Sequence, residues 1–238
     1  MLFPLRQSES HEAGEEAESM RAVVAVYTSR GNVEDLNKQF RKVLPDVRLI
    51  NIVDDSVIPD IVAAGKVTPG VTKRLLHYFA AAESMRPDLI LLTCSSAGEV
   101  VDLGRLTIDT VPLLRIDEPM AAEAVRSARR VGVLATLPTT LDPTVRLIRQ
   151  QAARIGKEVE VVDGLAEGAY QILRQGQPER HDEMIIETAA KIAHRSDVFV
   201  LAQASMARVE DKIRERTGKP VLSSPEPCLL HIKSLFGK

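Results

Sequence analysis

Two stretches of this chain match each other without a gap. The segment RPDLILLTCSSAGEVVD, residues 86–102, lies over RSDVFVLAQASMARVED, residues 195–211, at a shift of 109 positions (195 − 86). The match pairs Arg86 with Arg195, Asp88 with Asp197, Leu92 with Leu201, Ser96 with Ser205, Val100 with Val209 and Asp102 with Asp211. One residue of slip later, Pro112 meets Pro220 and Glu118-Pro119 meets Glu226-Pro227; at the original shift Arg21 falls on Arg130. Identities in order, on corresponding segments of both halves, indicate an internal duplication. A duplicated chain is confined to folds made of two like units, and each unit here carries its own run of strand-like and helix-like segments.

The apolar runs at residues 22–28, 47–53, 89–94 and 111–114 have the length and β-branching of buried parallel strands. A second series follows at 131–136, 159–163, 198–203 and 221–222. Amphipathic stretches lie between them. Thr68-Pro69 opens one as an N-cap followed by a proline in the first turn, Asp142-Pro143 opens another in the same way, and residues 182–193 form a third. This alternation predicts an α/β protein of two pseudo-twofold-related lobes, each a parallel sheet of about four strands flanked by helices, with the active-site cleft between them. Residues 20–115 with 224–238 are expected to form the first lobe and 116–223 the second. The acidic, aperiodic residues 1–19 read as a disordered tail.

Composition narrows the function. Of 238 residues 45% are hydrophobic, ample for a buried core, and 31 basic against 33 acidic side chains leave a net charge of -2. With only 3% aromatic residues and no basic block, nucleic acid is not an expected partner. No run has the ~20 apolar residues of a membrane span, and no secretory signal opens the chain, so a cytoplasmic protein without a membrane partner is expected. Two cysteines make no disulfide framework, and no Cys/His cluster has zinc spacing.

Cys94 ends an apolar strand and is followed by Ser95, Ser96, Ala97, Gly98 and Glu99, a tight turn into a helix. A lone strand-end cysteine is more often inert core than catalyst. Here the polar turn and the duplicated cleft reverse that preference. Ser96-x-x-Glu99 fits a capping box, and a thiol at a helix N-terminus is expected to have a lowered pKa. The free N–H groups there, with the Ser95 and Ser96 hydroxyls, suit a carboxylate. Thr28 and Ser29 end the first strand of lobe one, Thr136, Thr139 and Thr140 end that of lobe two, and Ser205 pairs with Ser96; all are candidates to bind substrate oxygens. Asp54 and Asp55 are either cleft groups or solvated loop residues.

A strand ending in Cys followed by small hydroxyl residues, within a duplicated α/β chain, resembles the aspartate/glutamate/hydantoin racemase superfamily, which also holds maleate isomerases and arylmalonate decarboxylases. The resemblance runs from Met20 onward. It implies a cofactor-independent isomerase acting at the carbon alpha to a carboxylate or carbonyl of a small carboxylate or hydantoin-like substrate. No metal is implied, and homodimers are common among such proteins. In racemases of this kind one cysteine from each lobe flanks the α-carbon. Cys94 matches the first. In the second lobe LAQASMA, residues 201–207, is similar to the cysteine segment of hydantoin racemases, but Gln203 occupies the cysteine position. The duplication independently pairs Cys94 with Gln203. An amide is neither a useful acid nor a useful base near neutral pH, so the two-thiol route is not available as it stands. Cys228 pairs instead with Met120, and a packing role is expected for it.

Three rivals remain open from the residues: a one-cysteine decarboxylase or lyase, a cis-trans isomerase of a small dicarboxylate, and a carboxylate-binding relative without catalysis. A nucleotide-binding fold is disfavoured, because neither G-x-G-x-x-G nor G-x-x-x-x-G-K-[ST] follows the first strand of either half.

Overall fold

The computed structural model describes residues 20–237; the tail reading for residues 1–19 lies outside them. Strands β1 (Ala22–Tyr27), β2 (Arg48–Val53), β3 (Leu89–Leu92) and β4 (Leu113–Arg115) form one parallel sheet in the order β2-β1-β3-β4. Strands β5 (Arg130–Ala135), β6 (Glu160–Leu165), β7 (Val198–Leu201) and β8 (Val221–Ser223) form the second in the order β6-β5-β7-β8. The central strands β3 and β7 are buried at every residue, as strands covered on both faces must be.

Period-two alternation sends neighbouring residues of each strand to opposite layers. In the first lobe Val24, Val26, Ile90 and Leu92 face α2 (Val57–Ala64), α3 (Pro69–Ser84) and the short α4 (Val100–Gly104). Val23, Ala25, Tyr27, Leu89 and Leu91 face α1 (Val33–Val43) and the C-terminal helix, which brings Cys228, Leu229 and Ile232 back onto this sheet. In the second lobe α5 (Glu118–Ser127) and α6 (Pro138–Arg154) cover one face. The other carries α8 (Pro178–Ile192) and α9 (Glu210–Thr217), with the six-residue α7 (Ala169–Arg174) between β6 and α8. The C-terminal helix is α10 (Pro225–Phe236), and it also packs against α5.

Several local expectations shift. Helix α3 begins at Thr68-Pro69, with the Thr68 hydroxyl accepting from the Val71 N–H at 3.2 Å. Helix α6 begins a turn before Asp142-Pro143, at Leu137-Pro138, and Pro143 sits inside it. Pro138 already supplies the fixed φ and missing N–H that suit a first turn. The Ser96/Glu99 capping box does not form. Ser96 Oγ lies 2.7 Å from Thr140 Oγ1 of α6, and the Glu99 carboxylate pairs with Arg146 of the same helix. Side chains expected to close a helix end are drawn across to the opposite lobe.

Pairing register also corrects the repeat by one residue. Val23 pairs with Leu89 and Val131 with Val198, so β1 matches β5 at 108 positions (131 − 23) while β3 matches β7 at 109 (198 − 89). Ala22, not Arg21, is therefore equivalent to Arg130. The backbone N–H of each donates to the aspartate before the neighbouring strand, Asp88 at 2.8 Å and Asp197 at 2.9 Å.

Candidate active site

In both sheets the chain leaves the first strand in one direction and returns on its other side, which opens a crevice between the carboxyl ends of β1 and β3, and of β5 and β7. Ligands of open α/β sheets bind at such switch points. Thr28 and Cys94 stand at the first, Thr136 and Gln203 at the second. The corrected register makes Thr28 equivalent to Thr136 and Cys94 to Gln203. The crevices open into one cavity of about 430 Å³.

Cys94 is 5% exposed. The Thr28 hydroxyl and the backbone N–H groups of Ala97 and Ser96 lie near enough to favour its thiolate. Burial nevertheless dominates and pushes its pKa up, with the negative charge of Asp117 adding to the rise. The expectation of a lowered pKa is thus overturned. The turn runs into a helix of only five residues, whose dipole is small, and removing the thiolate from water costs more than three donors return. Cys94 rests as a thiol that has three donors ready for the thiolate. Cys228, also buried, has a raised pKa from burial and from the charges of Asp117 and Glu118; it belongs to the core of the first lobe.

At the equivalent place in lobe two the Thr136 N–H and hydroxyl both donate to Gln203 Oε1, at 2.8 and 2.9 Å. Because the Thr136 N–H can only donate, the facing atom of the amide is its oxygen. The Gln203 NH₂ is left at the cavity wall without a protein partner among the described residues.

Thr28, Ser29, Cys94, Ser95, Ser96, Thr140, Gln203 and Ser205 all line the cavity. Thr136 stands behind Gln203 and is not part of the wall, nor is Thr139. Asp54 is held by Ser56, Tyr78 and Arg74. Burial opposes its charge, but those hydrogen bonds and Arg74 bring its pKa below the ordinary carboxylate value.

The sequence reading missed a cluster on the second-lobe wall. His181 of α8, 2% exposed, has Nδ1 2.8 Å from Asp182 Oδ1 and 3.1 Å from Arg208 Nη2. Arg208 grips Asp182 through Nη2 at 2.7 Å and Nε at 3.0 Å, and donates to the Ser205 carbonyl at 3.1 Å. Burial acts against the Asp182 charge, yet hydrogen bonds from Arg208 and His181 outweigh it and lower its pKa. Tyr170 and Arg174 of α7 also reach the wall. The duplication held one clue: at the 109 shift Arg208 occupies the position of Glu99, which leans across the lobes. Nothing in the sequence told which face of α8 meets the cleft. Among the described residues no group of three or more His, Cys, Asp or Glu is placed to hold a metal ion.

A family model described as Asp/Glu/Hydantoin racemase matches residues 22–231. The chain belongs to that family. It is a family of racemases, isomerase-type enzymes. A search of curated protein sequences found no match. Among solved structures, the fold is similar to glutamate racemase isoform RacE1 from Bacillus anthracis (TM-score 0.71, 12% identity, 91% of this chain and 82% of that one). It is also similar to the allantoin racemase of Pseudomonas fluorescens (TM-score 0.63, 19% identity, 91% of each chain). A third likeness is to Picrophilus torridus aspartate racemase (TM-score 0.67, 15% identity, 92% of this chain and 95% of that one). At such identities these likenesses concern the fold. No helix among the described residues is long and apolar enough to cross a membrane.

Proposed function

We propose that this family member is a cofactor-independent racemase- or isomerase-type enzyme of the cytoplasm. It acts at the carbon alpha to a carboxylate or carbonyl of a small substrate, with Cys94 as acid/base. The observation that carries the reading is the Cys94 thiol at a sheet switch point, on the wall of an interlobe cavity, with one hydroxyl and two N–H groups near enough to favour its thiolate. A neutral thiol is the form that gives a proton to an enolate. The thiolate it becomes is then held by the Thr28 hydroxyl and the Ser96 and Ala97 N–H groups, donors already in place before charge develops.

The cavity lies near the small end of the ~300–1,000 Å³ typical of ligand pockets, which fits a substrate of amino-acid or hydantoin size. Ser95, Ser205 and the free Gln203 NH₂ supply donors for its carboxylate or carbonyl oxygens, and Arg174 adds a cationic group to the second-lobe wall. Racemases of glutamate, allantoin and aspartate among the similar folds guide the choice of compounds.

The test is NMR in deuterated buffer with single enantiomers of 2-amino, 2-hydroxy and 2-methyl carboxylates, allantoin and 5-substituted hydantoins, with malonates and maleate alongside. Deuterium entering an α-position with formation of the opposite enantiomer by the parent protein, and no formation of that enantiomer with Cys94→Ser, is the expected result. Silence across the whole panel, or a Cys94→Ser variant as fast as the parent, sinks the reading. Loss of carbon dioxide from a malonate would replace it with a one-cysteine decarboxylase.

A further inference from the structure

Gln203 stands where a second thiol would serve the other face of the α-carbon, and its amide cannot carry a proton. The second lobe does place a proton carrier on the same cavity, from a helix instead of a strand end. Nearly all of the His181 ring is buried, yet it forms part of the wall that also holds Cys94. Its Nδ1 lies 2.8 Å from Asp182 Oδ1. A bare lone pair on Nδ1 would repel the carboxylate at that distance, so the proton sits on Nδ1 and is donated to Asp182. Arg208 Nη2 lies 3.1 Å from the same nitrogen and makes its shorter bond, 2.7 Å, to Asp182 Oδ1, so the carboxylate is the stronger acceptor for both neighbours. The free lone pair is thereby fixed on Nε2, which among the described residues has no hydrogen-bond partner and is not fully buried, on a residue that lines the cavity. Asp182 orients the ring, and Arg208, bonded to the Ser205 carbonyl, fastens the dyad to the turn that carries Gln203. An oriented imidazole with one nitrogen open to a cavity is the arrangement of a general base.

Building on the reading of Cys94 given above, we propose that His181 is the second proton carrier, working on the face of the α-carbon opposite Cys94. In one direction Nε2 takes the α-proton: the C–H bond breaks and its electron pair moves into the adjacent carbonyl as an enolate. The Cys94 S–H bond then breaks as its proton adds to the opposite face, giving the inverted product, an imidazolium and a thiolate. A proton passing through water from imidazolium to thiolate restores the neutral pair. The other enantiomer meets the same two groups in reverse order. The raised pKa of Cys94 agrees with this, because the thiol is the resting form the first direction needs.

The test follows each enantiomer separately in deuterated buffer, on the alkaline side of neutrality where the Cys94 thiolate fraction rises, with a panel compound that the parent racemises. His181→Asn is expected to keep α-exchange without inversion for the enantiomer whose hydrogen faces Cys94. For the other enantiomer, exchange should fall by roughly 10²-fold or more. Asp182→Asn, which removes the partner that fixes the tautomer, should slow the same single enantiomer by at least about tenfold. Cys94→Ser should show the opposite asymmetry.

Equal racemisation by His181→Asn and the parent, with Cys94→Ser inactive, overturns the role of His181 and leaves that of Cys94 intact. Loss of exchange from both enantiomers alike in folded His181→Asn also overturns it, since Cys94 would have kept its own face. If His181→Asn does not fold, Asp182→Asn decides: slowing of one enantiomer supports the assignment, and equal slowing of both, or of neither, overturns it. A Cys94→Ser variant that matches the parent removes the reading beneath, whatever His181 does.

Discussion

The two lobes share strand order and pairing register, yet the ground beneath their switch points differs. Under the Cys94 turn lies a buried ion pair: Arg115 Nε and Nη2 donate to the two oxygens of Asp117 at 2.7 and 2.9 Å, with exposures of 2% and 0%. The guanidinium is packed so close beneath the turn that a Cβ on Gly98 would collide with it. In lobe two the positions of Arg115, Asp117 and Gly98 are held by Ser223, Pro225 and Ala207, and Ser223 simply donates to Glu210 at 2.8 Å. A charged group near the thiol helps keep it protonated in the first lobe. In the second, a serine takes the place of the guanidinium, and the amide above is locked by Thr136. One scaffold position holds a buried thiol and its counterpart a fixed hydrogen-bonding group.

The largest effect that sharpens this contrast is on turnover. Cys94→Ser should cost about 10²–10⁴-fold, whereas Gln203→Ala, which removes an oriented amide and no proton carrier, should cost less than about tenfold. Equal losses in a steady-state assay would break the comparison. Next is Asp117→Asn, which leaves a buried guanidinium without its counter-charge and should destabilise by about 3–5 kcal/mol in urea unfolding. Ser223→Ala, at the lobe-two position of Arg115, should cost only about 0.5–1.5 kcal/mol.

Gly98→Ala comes third. Forcing a methyl against a buried ion pair should cost about 1–3 kcal/mol, while Ala207→Gly should cost about 0.5–1 kcal/mol through chain entropy alone. Ser96→Ala should cost about 1 kcal/mol by removing the hydrogen bond to Thr140 that ties the lobes. The smallest effect is the alkaline limb of stability. Burial raises the pKa of Cys94, Cys228 and Tyr27 in the folded chain. The folded state therefore holds these protons more tightly than the unfolded chain. Their contribution is complete below the unfolded values and is lost as pH rises, from about 8.5 for the thiols and about 10 for the tyrosine. The melting temperature should fall gradually across that range, and Cys228→Ala should flatten its first part.

Much of this was legible because it is local or periodic. Apolar runs bounded by turn residues marked the strands, and the repeat placed Cys94 and Gln203 on equivalent strand ends. The misses have one character. Ser96 and Glu99 carry a capping pattern, but their stronger partners, Thr140 and Arg146, belong to another lobe and cannot be seen in local spacing. The thiol pKa was misjudged because a helix start is visible in sequence while the degree of desolvation is not. His181 was passed over because a histidine four residues into a helix has no signature until the helix is docked.

The sequence by itself determined the two-lobed α/β plan and the asymmetry of its switch points, since periodicity and repeat alignment depend only on residue order. Only the tertiary structure decided the protonation of Cys94, the support of its turn by Arg115 and Asp117, and the arrival of His181, Asp182 and Arg208 on the same cavity. Those depend on which surfaces are removed from water and which side chains meet across the lobes, and both are set when the sheets and helices pack.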